Sequence, residues 1–147
     1  MRSVIKLFNI SLLYTILCFY PLQILADMHV TKSSIKISSG TGKAAAVYMT
    51  IRNDTDVSDR LMAAKTSVSR KSMLHDTVVT SDGVVKMKHI MMGVEVNKGE
   101  ELVLKSGGKH IMLMGLTETL EPGRVLKLVL SFKNAGDVET SVTVSEK

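Results

Sequence analysis

Cysteine is nearly missing from this sequence: one of the 147 residues, Cys18, carries a thiol. It sits in an amino-terminal segment that reads as a cleaved leader, preceded by Ile16 and Leu17 rather than by the small residue that a lipid-modified cysteine follows. The mature chain is therefore expected to hold no thiol. That excludes disulfides together with Cys-ligated zinc, iron-sulfur and blue-copper sites. Aromatic residues are also scarce, at 4%, and the lysines are scattered without a basic block, so no nucleic-acid partner is expected. Charge of one sign is equally thin. With Arg2 and Lys6 removed, 17 of the 19 basic residues face 14 acidic ones, an excess of +3 that points to no partner.

Long apolar runs are lacking too. The run over 10–20 ends at Pro21 and falls short of the roughly 20 residues that a membrane span needs. Arg2 and Lys6 before it, and Ala26 just ahead of Asp27, give the three-part pattern of a secretory signal peptide. The expected organisation is a signal over 1–26 and one domain over 27–147, exported to the periplasm, monomeric and without a membrane span after cleavage. No Ser/His/Asp or Cys/His set and no paired carboxylates stand out, so binding rather than catalysis is expected.

What is present is strand after strand. Short segments rich in Val, Ile, Thr and Leu occupy 30–37, 44–52, 60–67, 72–80, 84–89, 101–104, 110–116, 125–132 and 139–144. Turn residues such as Asn53-Asp54, Asp82-Gly83, Lys98-Gly99 and Glu121-Pro122-Gly123 separate them. The spacing predicts an all-β fold, an antiparallel Greek-key β-sandwich. That architecture alone names no activity.

Methionine is the abundant chemistry, with ten residues, several of them beside histidine: Met73-Leu74-His75, Met87-Lys88-His89, Met91-Met92 and His110-Ile111-Met112-Leu113-Met114. In a strand, residues two apart share a face, so His110 and Met112 can present an imidazole and a thioether to one ion. Such a soft pair suits Cu(I), and a thioether needs no deprotonation to bind. Met114 shares that face and is expected to pack beside the site. Met49, Met62 and Met73 lie in apolar segments and are expected in the core, and Tyr48 is expected as a packed aromatic with its hydroxyl free to reach water or a partner.

The segment over 44–116 resembles the PCuAC family of periplasmic copper chaperones. Ala45-Ala46-Val47-Tyr48-Met49-Thr50-Ile51-Arg52-Asn53 resembles the family's early strand, and Asp59-Arg60-Leu61 the piece after its first polar loop. His75 and Met87 stand where the family has its first ligand histidine and methionine, and the stretch from Leu102 through Ser106-Gly107-Gly108 to His110-Ile111-Met112 resembles its strand, turn and His-x-Met signature. The resemblance implies a cupredoxin-like sandwich that binds Cu(I) through His75, Met87, His110 and Met112. It also implies delivery to the copper-receiving domain of a respiratory oxidase. The intervals from His75 to Met87 and from Met87 to His110 are each one residue longer than the family pattern. An insertion within a strand turns a ligand to the other face, whereas one in a turn does not. Residues 80–83 and 91–93 offer turns, and His89 or Met92 stand as alternatives to Met87.

Two other readings share these residues: a non-catalytic interaction module with an incidental His/Met cluster, and a copper storage or resistance protein. A further expectation concerns the mature amino terminus. Cleavage after Ala26 exposes Asp27-Met28-His29, whose terminal amine, two backbone amides and His29 imidazole can enclose Cu(II) in a square-planar, four-nitrogen set.

Overall fold

The computed structural model describes residues 27–38 and 43–146. The assigned signal over 1–26 and residues 39–42 lie outside the described residues. Among the described residues ten strands follow one another: β1 (Met28–Ile37), β2 (Ala44–Asn53), β3 (Asp59–Lys65), β4 (Ser69–Val79), β5 (Val85–His89), β6 (Val94–Val96), β7 (Glu101–Leu104), β8 (His110–Leu116), β9 (Val125–Phe132) and β10 (Gly136–Val144). Nine were expected from the sequence. The tenth, β6, is a three-residue Val-Glu-Val strand between Gly93 and Asn97-Lys98-Gly99, too short to show a period of its own.

Hydrogen bonding runs in the order β5-β4-β8-β2-β1-β10-β9-β3-β6, and β7 also pairs with β2. The ladder doubles over at β1, which pairs antiparallel with β2 and parallel with β10. A bulge between Thr31 and Ser34 bends β1, and Lys32 inside it takes a left-handed φ of 51°. A non-glycine residue holds that conformation only where its surroundings enforce it. Here Ser33 Oγ donates to Ser141 O at 2.9 Å and Ser145 N to Ile35 O at 2.9 Å, tying both sides of the bend to β10 and the residue that follows it.

The two layers bury alternating residues against each other. One contributes Val47, Met49, Ile51, Leu74, Leu104, Ile111 and Leu113, the other Leu61, Leu128, Leu130, Phe132, Val142 and Val144. Full burial of a side chain of this size stabilises by about 1.5–3 kcal/mol. The turn into β6 depends on Gly93: its φ is 71°, and an added Cβ would lie 2.6 Å from Leu61 O. Any side chain there would push β6 off β3.

Two methionines expected in the core are elsewhere. Met49 is buried, but Met62 is exposed and Met73 is half-buried on the outer face. The apolar character of their segments hid an alternation that turns these two side chains away from the core.

Candidate metal site

The site grows from the register of three neighbouring strands. Pairing of β4 with β8 sets His75 opposite His110 and Met73 opposite Met112. Pairing of β4 with β5 sets His75 opposite His89 and Thr77 opposite Met87. Directly paired residues share a face of the sheet. Leu74, Ile111 and Leu113 point into the core, so alternation turns His75, His89, His110, Met73, Met87 and Met112 outward together.

Each of the two longer intervals contains a turn. Residues 80–83 close the β4–β5 hairpin, with Gly83 N donating to Thr80 O at 2.8 Å and Gly83 at φ 81°. Residues 91–93 form the connection to β6. Met87 therefore lies on the face of His75. His89 lies on it as well, while Met92 is an exposed turn residue whose carbonyl accepts from Arg60 Nη1 at 3.1 Å.

His110 is the anchored member. It faces outward yet is only 3% exposed, because Tyr48 tilts against it with ring centroids 6.3 Å apart and the turn over 105–109 closes beside it. His110 Nδ1 lies 2.9 Å from Gly108 O. A carbonyl oxygen only accepts, so Nδ1 carries the proton and Nε2 keeps its lone pair for an ion. The same Gly108 O accepts from Thr77 N at 3.2 Å, which pins the carbonyl to β4.

His75 is the uncommitted member. Its ring meets that of His110 edge-on, at 5.8 Å between centroids, and its Nδ1 is buried without a hydrogen-bond partner. Burial first, then the neighbouring His110 and His89 imidazoles, hold its pKa below the ordinary histidine value. A ring kept neutral, with a buried nitrogen unpaired, is prepared for an ion rather than for a proton.

An open pocket of about 430 Å³ lies over this face, and its lining includes Met87, His110, Met112, Tyr48, Thr77 and Lys36. Met87 is 62% exposed at its rim. Among the described residues no three His, Cys, Asp or Glu side chains gather as a metal group, so a fuller donor set here draws on thioether sulfur. Met114, 39% exposed and opposite Lys71, lies further along the same face.

Met73, expected in the core, instead pairs with Met112 on the outer face, and the Gly108 carbonyl that fixes the His110 tautomer was not anticipated. Counting back two residues from His75 finds the first. No sequence signal announces the second. His29 lies apart, exposed on β1 opposite Arg52 and 3.6 Å from Asp54 Oδ2. Met28 and His29 pair with Asn53 and Arg52 of β2, so the amino-terminal Cu(II) set requires these two residues to leave the sheet.

A profile of the LpqE-like lipoprotein family matches residues 25–144. A relative from Leifsonia xyli subsp. xyli (strain CTCB07), Lxx21020, named as a lipoprotein, is 31% identical over 119 residues, covering 81% of this chain and 70% of its own. Among solved structures, the apo PCuAC domain from PmoF1 superposes with a TM-score of 0.69 at 22% identity, covering 82% of this chain and 98% of that one. The Cu(I) form of DR1885 from Deinococcus radiodurans superposes with a TM-score of 0.64 at 25% identity, covering 86% and 83%. The copper-bound PCuAC domain from PmoF2 does so at 0.66 and 18%, covering 82% and 93%. The sandwich is thus cupredoxin-like.

Proposed function

Because the chain belongs to the LpqE-like lipoprotein family and has the PCuAC fold, we propose that it is an exported, periplasmic carrier of Cu(I). Its ligands are His75, Met87, His110 and Met112, and its recipient is the copper-receiving domain of a respiratory oxidase. The observation that carries this reading is the opposed His75–His110 pair, 5.8 Å between centroids, with thioethers sharing its face. An ion about 2 Å from one nitrogen of each ring holds two imidazole centroids about 5–6 Å apart. Two neutral imidazoles and two thioethers suit soft Cu(I) and bring no charge with them.

The work is carriage rather than catalysis. A carrier must keep its ion in transit and yield it to a partner, which requires ligands that an incoming donor can replace one at a time. The set is graded for that purpose, from buried His110 to Met87 at the rim. An incoming ligand meets the Met87 sulfur first and the His110 imidazole last.

Anaerobic titration of the mature chain with Cu(I) against a chromogenic chelator is expected to give one tightly held equivalent. Mixing the loaded protein with an apo oxidase copper domain is then expected to move the ion. Retention of the copper would favour storage, and absence of binding would leave an interaction module.

Export is tested separately. Mass spectrometry of the secreted protein is expected to place the amino terminus at Asp27, and a lipid on Cys18 or a different start overturns that cleavage. With Asp27 first, the Asp27-Met28-His29 set is expected to give a visible Cu(II) band that His29→Ala abolishes.

A further inference from the structure

His89 is an imidazole that the Cu(I) set leaves unused. It ends edge strand β5, is exposed, and stands directly opposite His75 in the β4–β5 register. The His75 and His89 ring centroids are 5.9 Å apart, nearly the 5.8 Å that separates His75 from His110 on its other side. Both spacings match two imidazoles sharing one ion, for which about 5–6 Å is required. His75 thus stands midway in a row of three rings, and its Nδ1 is buried without a partner.

We propose that His75 and His89 form a second, solvent-facing copper position that takes Cu(II) and that competes with the inner Cu(I) position for the one histidine they share. The inference deepens the carrier reading and rests on it for the identity of the inner ligands.

The two sides of His75 differ in what else they offer an ion. Toward β8 lie buried His110 and the Met112 sulfur, a soft set covered by Tyr48 and the turn over 105–109. Toward β5 lies His89 on an exposed strand; Met87 of that strand lines the pocket with His110 and Met112, whereas His89 is not part of that lining. The charged residues of the next register pair, Asp76 and Lys88, alternate to the opposite face. An ion held there completes its shell with water. Cu(II) favours nitrogen and oxygen donors in a tetragonal arrangement and heads the affinity order of the divalent first-row metals, so two imidazoles plus water suit it. Cu(I) gains little from the waters and more from the sulfurs.

Exclusion follows from the ring itself. A neutral imidazole has one lone pair, so His75 serves one ion at a time. The chain meets copper in either oxidation state with a different flank of the same residue, and this pair of positions carries one ion in total.

The test uses the mature chain with His29→Ala, which removes the amino-terminal Cu(II) set. Cu(II), supplied as its glycine complex, is followed by electron paramagnetic resonance, and Cu(I) is followed anaerobically with the chromogenic chelator. One Cu(II) equivalent with nitrogen couplings from two imidazoles is expected. His89→Ala and His89→Gln should weaken Cu(II) by at least about 10–100-fold, the loss typical of groups that only support a ligand, and leave Cu(I) affinity unchanged. Met112→Ala should do the reverse, and Cu(I) added to the Cu(II)-loaded chain should displace the first ion. An unaltered Cu(II) signal in both His89 variants overturns the proposal. So does a Cu(I) loss in them as large as that in Met112→Ala, or the simultaneous retention of both ions. A chain that fails to hold Cu(I) but keeps the His89-dependent signal would sink the carrier reading and uphold the pair.

Discussion

Strand β2 supports two polar sites of opposite character. Near its middle, Tyr48 leans on His110 beside a face where a buried His75 nitrogen has no partner and Met87 is open to solvent. At its end, Asn53 is fully buried and fully engaged. Its Nδ2 donates to Val57 O and Val96 O, both at 2.9 Å, and its Oδ1 accepts from Thr55 N at 3.0 Å. Nearby Asp59, 4% exposed, accepts from Arg60 N at 2.7 Å, Asn134 N at 2.9 Å and Ala135 N at 2.7 Å. One region keeps its polar atoms satisfied and secures the loops. The other leaves donors unspent for a visitor. A buried polar group that is paired stabilises a fold, and one left unpaired costs free energy unless a ligand completes it.

The contrast breaks most sharply under substitution at the open site. His110→Ala or Met112→Ala should weaken Cu(I) binding by at least the 10–100-fold seen when groups that merely support metal ligands are lost. Met114→Ala, further along the face, should weaken it less. Competition titration measures both, and a larger loss for Met114 than for Met112 would reverse the facing assignment.

At the closed site the effect should be on stability alone. Asp59→Ala strands three backbone donors and should cost about 2–3 kcal/mol in denaturant unfolding. The Cu(I) affinity of the folded fraction should not change. A variant that unfolds normally but loses copper would show that the two regions are not separable.

Acid should distinguish them more finely. Burial works to raise the Asp59 pKa, but the N–H donors of Ala135, Asn134, Arg60 and Lys133 outweigh it, and the folded value lies below the ordinary one. Stability from this carboxylate is therefore present above about pH 4 and lost as pH falls through the lowered folded value. Protons compete with an imidazole that holds an ion, so if the proposed ligands bind, copper affinity should fall in acid, and the lowered His75 pKa moves that fall below the ordinary histidine range. His75, with its pKa lowered, also makes the metal-free fold less stable as pH drops below the unfolded histidine value. Parallel copper and circular-dichroism titrations should show the ion leaving, as pH falls, from a chain that is still folded. Coincident transitions would contradict the separation.

Much of this fold was legible because the strands advertise themselves. In β9, Leu126, Leu128, Leu130 and Phe132 alternate with outward residues, and the pattern can be read without neighbours. The His110–Met112 spacing was legible for the same reason. Register was not. Nothing in Met87-Lys88-His89 tells which of its residues will stand opposite His75, because a hairpin's register depends on how the turn over 80–83 closes. Met73 was misread as core on its own apolar side chain and that of Leu74, although alternation from His75 turns it outward. The hold of Gly108 on His110 belongs to the three-dimensional turn and leaves no mark in residue type.

The hairpin that brings His89 and Met87 to the site also sets a hazard for a population of these molecules. β5 is the last strand of its layer, all five of its residues are exposed, and Val79, Val84 and Val85 beside or within it are apolar and open. An uncovered edge of this kind invites the same edge of another copy to add on. Lys86 and Lys88 alternate with the apolar residues along it, and two such edges approaching one another would bring like charges together. The lysines thereby work against self-association while leaving Met87 and His89 exposed, so the proposed copper site can lie on an open edge of a chain that stays dispersed at high concentration.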